Sequence, residues 1–379
     1  MANSTKHRRP IIYIEATALC RSQRTGVSYW VEGLIKGLVA QRPDTDFVFF
    51  HFAGDDHPLR IKGKNVSEIT IKKLPGKLFR LLYVAGLAPR LESLLKVDRV
   101  DLVIFPNFYA WPVQTKGARI ITCIPDTTYL DVPEYVPHRY FRKLLAAGVK
   151  HSVKVSDELI VCSEATAQSL EDHYGRAVST MTVAYPGYEL PKVKPVQSGI
   201  DIPKQHILFV GTLEPRKNIA NLIRGYVALP QKLRDEYPLM LAGGKGWLDE
   251  EIGRLIAEHT PDGVRAAGYV TDGDRELLYR SAAVFAYPVK YEGFGMPVIE
   301  AQAHGVPVVS TNNSSLPEAT GGVAVYCETS SRSITQALKK ILGDKKLRTS
   351  LSAQGRRHAA KFTWKSGQDA FVEAVKRQS

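Results

Sequence analysis

Two carboxylates with seven residues between them, Glu292 and Glu300, flank a glycine loop and a helix start in the stretch from Ala286 to Thr311. Gly293, Phe294, Gly295 and Met296 form the turn between them, and its glycines let the backbone take positive φ and press against a ligand. Pro297 suits the first turn of a helix, where a missing N–H costs nothing, so the turn leads into an open helix N-terminus that attracts anions. A carboxylate at the mouth of an anion site is electrostatically odd, and hydroxyl groups are its natural partners. A second set of reactive types stands at Gly211-Thr212-Leu213-Glu214-Pro215-Arg216-Lys217-Asn218. Two cations there follow a glycine turn, a pattern that suits a phosphate or, alternatively, a solvated basic loop. Glu300 alone also reads as a surface glutamate favoured by the helix dipole.

Apolar runs position these residues. Ala282 to Pro288 reads as a buried strand entering the glycine loop, Val298 to Ala303 continues the helix until Gly305, and Val306 to Ser310 is the next strand. Ile207 to Val210 is a strand leading straight into the basic turn, and Leu239 to Ala242 and Val264 to Val270 are two more. In the first half, Pro10 to Ile14, Phe47 to Phe52, Asp101 to Phe105, Ile120 to Ile124, Glu158 to Cys162 and Thr182 to Ala184 alternate with helical patterns. Strands alternating with helices imply α/β domains with parallel sheets, whose ligands gather at the carboxyl ends of the strands. Gly26 follows the first strand there, Asn107 follows the third, and Asp126 and Tyr129 follow the fourth. Asp126 is an acceptor-side candidate or, alternatively, a helix cap or loop brace. Asp272 and Asp274 imitate spaced metal ligands but precede a helix expected near Arg275, so N-capping is the better reading.

At 379 residues the chain exceeds one ordinary core, and two domains are expected. The boundary falls in the Pro- and Lys-containing stretch from Pro191 to Pro203, giving residues 1–190 and 191–361, with a last helix at 362–379 packing back on the first domain. Hydrophobic residues make up 44% and charged residues 23%, which describes a soluble globular protein. No uncharged run reaches the roughly 18 residues of a membrane span, and the N-terminus lacks the apolar stretch of a signal peptide. Cys20, Cys123, Cys162 and Cys327 have no metal-like spacing, so reduced cytosolic thiols are expected, with no metal. The net charge of +13 sits in the first half: residues 1 to 155 hold 24 basic and 13 acidic residues, or +11, and the remainder only +2. It peaks between Arg60 and Arg99, around Leu78, Phe79, Leu81 and Leu82. Attraction to an anionic membrane surface would explain one-sided basicity, and ordinary amphipathic helices are the alternative. Nucleic acid is not expected, because basic and aromatic residues are not interleaved.

The string from Tyr291 to Ala301 resembles the donor-sugar loop of retaining GT-B glycosyltransferases of family 4, and the resemblance covers nearly the whole chain. It implies the GT-B fold, two doubly wound parallel-sheet domains facing across a cleft, and transfer of a hexose from a nucleotide-sugar donor to a glycan or lipid-linked glycan. By resemblance, Glu292 contacts the donor sugar, Glu300 the ribose, and Lys217 and Arg216 the diphosphate, with Gly211 and Thr212 in the same segment. Gly293, Phe294, Gly295 and Met296 offer backbone N–H groups, Gly26 meets a donor phosphate, and Tyr269 and Val270 lie where the nucleobase is bound. Cleavage leaves extra charge on the diphosphate, which Lys217, Arg216 and the helix start can neutralise without a metal or other cofactor. Ser314 to Glu318 is expected to brace the donor loop. Relatives carry a His just before Asp126, where this chain has Pro125, so the role of that His has no counterpart. Pro186 likewise replaces an asparagine.

The order of segments resembles bacterial mannosyltransferases that build surface polysaccharides and lipopolysaccharide, which implies GDP-mannose as donor and a cytoplasmic enzyme, peripheral on the inner face of the membrane. The alternatives are a UDP- or dTDP-sugar transferase, a sugar epimerase or phosphorylase on the same fold, and a non-catalytic polyanion-binding protein.

Overall fold

The computed structural model describes residues 9–20, 25–53, 58–71, 87–136, 138–191, 199–244, 246 and 250–379. The centre of the basic stretch, with Lys72, Lys73, Lys77, Leu78, Phe79, Leu81 and Leu82, lies outside the described residues, as do Asp55 and Asp56.

The chain divides into two units, each built on its own parallel sheet. The first comprises Met1–Leu130, Arg139–Gly187 and Trp364–Ser379, and the second Asp131–His138 and Tyr188–Thr363. The short segment Asp131–His138 therefore belongs with the second unit, where Tyr135 receives a hydrogen bond from Lys290 Nζ and its ring lies 4.6 Å from that cation. Apart from this segment the chain changes units at 187/188 and 363/364, where the boundaries expected from the sequence are 190/191 and 361/362.

In the first unit the strands β1 (Ile11–Glu15), β2 (Asp46–Phe52), β3 (Val66–Ile71), β4 (Leu102–Phe105), β5 (Arg119–Ile124), β6 (Glu158–Val161) and β7 (Met181–Val183) run in the order β3-β2-β1-β4-β5-β6-β7. All are parallel, so β1 and β4 are neighbours at the point where the order reverses. β3 is an addition to the strands expected from apolar runs, because an edge strand with Ser67, Glu68 and Thr70 carries only a weak pattern.

The helix Gly26–Gln41 is capped by Thr25, whose hydroxyl accepts from Ser28 N, and it buries Trp30, Leu34 and Leu38. The helix Trp364–Gln378 packs on it. That packing is close because Gly33 and Gly37 leave room for Trp364 and Gln368, and Gln368 Nε2 donates to the Gly33 carbonyl at 2.9 Å.

In the second unit β8 (His206–Val210), β9 (Leu239–Ala242), β10 (Val264–Gly268), β11 (Ala282–Tyr287), β12 (Val308–Thr311) and β13 (Val325–Cys327) run in the order β10-β9-β8-β11-β12-β13. β8 and β11 are parallel neighbours, although about seventy residues separate them along the chain. Their carboxyl ends form the switch point of this sheet, and the two motifs singled out above leave from those ends.

The helix Asp272–Ser281 begins three residues earlier than expected, and its cap is Thr271 rather than either aspartate. Thr271 Oγ1 accepts from Asp274 N at 3.1 Å and donates to the Asp274 carboxylate at 2.6 Å, a reciprocal arrangement like a capping box.

Candidate functional site

The segment after β8 turns through a short 3-10 helix, Pro215–Lys217, and Asn218 takes a left-handed conformation (φ 59°) that lets the next helix, Ile219–Val227, begin. The turn aims Lys217 inward: it is buried, its Nζ pairs with Glu292 Oε1, and the same Nζ donates to the Tyr287 hydroxyl at 3.0 Å. Tyr287 in turn donates to Glu292 Oε1 at 2.6 Å. Arg216 lies beside them, 3.4 Å from Glu292 Oε2, and donates to the Tyr291 carbonyl at 2.8 Å. Its other face is held by Glu214, which is 2% exposed and accepts from Nε and Nη2 at 3.0 and 2.7 Å. Two cations and two carboxylates thus meet where β8 and β11 end, so the charges offset one another while their geometry is held.

The loop that carries Glu292 is fixed from behind. Ser314 Oγ accepts from Glu292 N at 3.1 Å and Ser315 Oγ donates to the Glu292 carbonyl at 3.0 Å, so the Ser314-Ser315 segment braces this loop. Gly295 caps the helix Met296–His304 in a left-handed conformation (φ 104°), and no side chain caps that helix. A side chain at 295 would be strained by that φ alone. Gly293 and Phe294 are buried, the ring of Phe294 lying 5.4 Å from that of Phe362, so Phe294 has only its backbone to offer a ligand. Met296 is half-buried.

Glu300 sits one turn into this helix and is also buried. Arg275 Nε stands 3.5 Å from its Oε2, a charge contact rather than a hydrogen bond. Burial pushes the Glu300 carboxyl up, against the opposing pull of Arg275 and of a hydrogen bond from Tyr279. A buried carboxylate oxygen with acceptor capacity to spare can receive a ligand hydroxyl.

At the ends of β8, β9 and β10 the backbones are stitched together. Gly211 N donates to the Ala242 carbonyl at 2.9 Å and Gly243 N to the Gly268 carbonyl at 2.8 Å, and a Cβ at Gly243 would overlap the Gly211 carbonyl. Thr212 is exposed, Val270 is half-buried, and Tyr269 stands 83% exposed after Gly268. A large aromatic ring so exposed at a strand's carboxyl end is available for stacking.

In the first unit Gly26 is exposed as the first residue of its helix, and nothing in the chain lies within 4 Å of a Cβ built on it. Asn107 is half-buried in a turn where Phe108 takes φ 63°. Asp126 accepts from Thr128 N at 3.0 Å, so it braces the turn into the helix Thr128–Asp131. Tyr129 is only 2% exposed, with its hydroxyl against Tyr174, and its side chain therefore belongs to the core rather than to an acceptor surface.

A model of glycosyltransferase family 4 matches residues 24–191, and a model of glycosyl transferases group 1 matches residues 192–358. The O-antigen chain mannosyltransferase B of Escherichia coli is 30% identical over 96% of this chain and 99% of its own length. The chain belongs to glycosyltransferase family 4. A serotype-specific mannosyltransferase, WbdA, also from Escherichia coli, is 30% identical over 50% of this chain and 24% of its own. Among solved structures, a sucrose-phosphate synthase from Thermosynechococcus elongatus aligns with a TM-score of 0.74 at 20% identity, covering 98% of this chain and 99% of that one. WaaG, a glycosyltransferase involved in lipopolysaccharide biosynthesis, aligns with a TM-score of 0.67 at 17% identity, covering 97% and 98%. The two parallel-sheet units are those of the GT-B fold.

Several side chains that organise the glycosyltransferase's second unit carry no sequence signal of their own. Glu214 and Tyr287 hold the basic pair, yet one reads as a loop glutamate and the other as a strand residue. The His304 side chain is buried, its Nδ1 donating to the Glu300 carbonyl at 2.8 Å and its Nε2 pairing with Glu276 at 2.7 Å. These partners are two to seventy residues apart in sequence, and the tertiary fold selects the distant ones.

Proposed function

We propose that this glycosyltransferase moves mannose from GDP-mannose, with retention of configuration, onto a growing surface polysaccharide. The observation that carries the reading is the cluster of Lys217, Arg216 and Glu292 at the β8/β11 switch point, beside an uncapped helix start. The bond from the sugar's anomeric carbon to the phosphate oxygen breaks, a bond from that carbon to the acceptor hydroxyl oxygen forms on the same face, and the hydroxyl proton passes to the leaving phosphate oxygen. Lys217, Arg216 and the N–H groups of residues 293–296 take up the charge that develops on the leaving diphosphate, with no metal required. Glu292 accepts from donor sugar hydroxyls and Glu300 from the ribose, while Gly211 and Thr212 line the phosphate turn. Tyr269 and Val270 flank the base. Gly26 is kept as a donor contact because no neighbour within the chain demands a glycine there. Asn107 and Asp126 are assigned to the acceptor side. The choice of mannose rests on the two mannosyltransferase relatives, at 30% identity each.

Thermal shift against a panel of nucleotide sugars tests the donor. GDP-mannose should raise the melting temperature by several degrees at about a hundred times its Kd, which is worth roughly 3 kcal/mol. A larger rise with a UDP- or dTDP-sugar would replace the donor, and consumption of donor without any acceptor would favour an epimerase or hydrolase. Added Mg²⁺ or Mn²⁺ should leave turnover unchanged.

The raised affinity of Glu300 for a proton has a kinetic consequence. Its folded value lies above the usual 4.5, so as pH falls the carboxylate protonates earlier than an ordinary glutamate and loses its acceptor oxygen. The kcat/KM for donor should therefore fall on the acid side above the usual carboxylate range. Glu300→Gln should remove that acid limb and lower the plateau by about 10- to 100-fold. An unchanged limb in Glu300→Gln assigns it to another group.

The same proposal places the enzyme in the cytoplasm, on the inner face of the membrane. No helix among the described residues is long and apolar enough to cross a membrane. The helix Arg139–Val155 carries Tyr140 and Phe141, 69% and 53% exposed, in its first turn beside Arg139, Arg142 and Lys143. Each such cation near an anionic surface is worth about 1 kcal/mol. Charge reversal at Lys72, Lys73 and Lys77 should weaken co-sedimentation with phosphatidylserine vesicles, and binding that does not change removes the membrane from this reading.

A further inference from the structure

Three ligand types that the sequence separates widely come together at one end of the first sheet. Cys20 closes the turn that leaves β1, its N–H donating to the Ala16 carbonyl at 3.1 Å. His51 is the next-to-last residue of β2, and Glu68 lies in the middle of β3. One ligand atom from each, the thiol sulfur, an imidazole nitrogen and a carboxylate oxygen, lies within 4.8 Å of the other two. Cys20 and His51 are buried, whereas the Glu68 side chain is 41% exposed.

The imidazole is oriented by its own strand. His51 Nδ1 lies 3.1 Å from the Phe52 carbonyl, which can only accept, so Nδ1 carries the proton in that bond. Nε2 then faces Glu68 Oε1 at 2.6 Å. A backbone carbonyl holding one ring nitrogen while the other faces a carboxylate, with a thiol in the same cluster, is an arrangement that can present a histidine to a metal. The 2.6 Å hydrogen bond holds a proton between Nε2 and the carboxylate, and a divalent cation bound by both takes the place of that proton.

We propose that Cys20, His51 and Glu68 form a zinc-class metal site in the first unit, with water as the fourth ligand. Thiolate, imidazole and carboxylate together suit Zn²⁺, whose bonds of about 2.3 Å to sulfur and 2.0 Å to nitrogen and oxygen place neighbouring ligand atoms about 3.2 to 3.6 Å apart. Closing on the ion moves the exposed Glu68 arm outward by about half an ångström and draws the sulfur in by up to about 1.3 Å. Binding releases the thiol proton to solvent. The ion joins the exit of β1 to β2 and to β3, the edge strand of the sheet, so its role is to hold that edge in place. It is separate from the diphosphate chemistry proposed for the second unit and does not depend on it.

The test uses the full-length protein purified without chelator. Metal analysis should find close to one zinc per chain, or the apoprotein should take up one Co²⁺ with a sulfur-to-cobalt charge-transfer band in the near ultraviolet. Saturating Zn²⁺ should raise the melting temperature of the apoprotein by at least about 3 °C. Cys20→Ser should abolish the cobalt band, and Glu68→Gln, at a half-exposed position that tolerates the change, should weaken Co²⁺ binding at least tenfold with an unchanged circular dichroism spectrum. No band and no melting shift in the wild type would show an ordinary His51–Glu68 ion pair and overturn the proposal. A band that survives Cys20→Ser, or Co²⁺ binding unaltered in a folded Glu68→Gln variant, overturns it equally.

Discussion

Alanine at Glu292 or at Lys217 should lower turnover by about 10²- to 10³-fold or more, the usual consequence of removing one preorganised group from a site where charge develops. The two side chains form one ion pair with 12% and 9% exposure, so Glu292→Ala leaves Lys217 buried without this counter-charge and Lys217→Ala leaves Glu292 with Arg216 alone. That loss costs about 3 to 5 kcal/mol of stability in typical buried pairs. Tyr287 and Arg216 soften the penalty when Glu292 is the survivor, since Tyr287 donates to it and Arg216 can approach its other oxygen. A double variant, Lys217→Met with Glu292→Leu, removes both charges together. It should be more stable than the sum of the single effects predicts, while its turnover stays as low as that of either single variant. Stability recovering without activity separates a catalytic role from a structural one. A folded single variant that retains transfer within a few-fold of the wild type would end the assignment of these two residues.

Gly367→Ala should cost about 3 kcal/mol or more and lower the melting temperature by several degrees, although it adds one methyl group. Gly367 lies in the last helix, and a Cβ there would overlap the carbonyl oxygen of Tyr185. That obstacle is backbone, held in the same unit by Trp30 Nε1 donating to the adjacent Ala184 carbonyl at 2.8 Å, so it cannot swing aside as a side chain can. Relief requires the last helix to lift, and that helix buries Phe371, Val372, Ala374 and Val375. It is also tied by Arg377 to Glu158 at 3.1 Å and to Thr182 at 2.7 Å. Thermal and urea unfolding measure the effect. A Gly367→Ala protein with the wild-type melting temperature would show that the close approach is not maintained in solution.

The alternation of strand and helix, two parallel sheets and the strings around Lys217 and Glu292 were all legible in the sequence. Local physics is enough for these: apolar runs have the length of buried strands, and glycines and Pro297 mark where a helix starts. Where local cues compete, the sequence is less decisive. Both aspartates at 272 and 274 are plausible caps, but Thr271 takes that place because Asp274 can then return a hydrogen bond to it. Tyr129 follows a strand end as a ligand residue would, yet its ring is drawn into the core, a choice made by the packing of other helices.

The sequence by itself determined the type of fold and the chemical repertoire, because periodicity, turns and charged strings act over a few residues. Strand order belongs to the tertiary structure: it makes β8 and β11 neighbours and so joins Lys217 to Glu292, and it aligns β1, β2 and β3 so that Cys20, His51 and Glu68 share one corner. The physical reason is that the sidedness and order of strands in a sheet are set by how helices cover both faces at once, a condition that involves the entire domain and leaves no trace in the spacing of any one pair of residues.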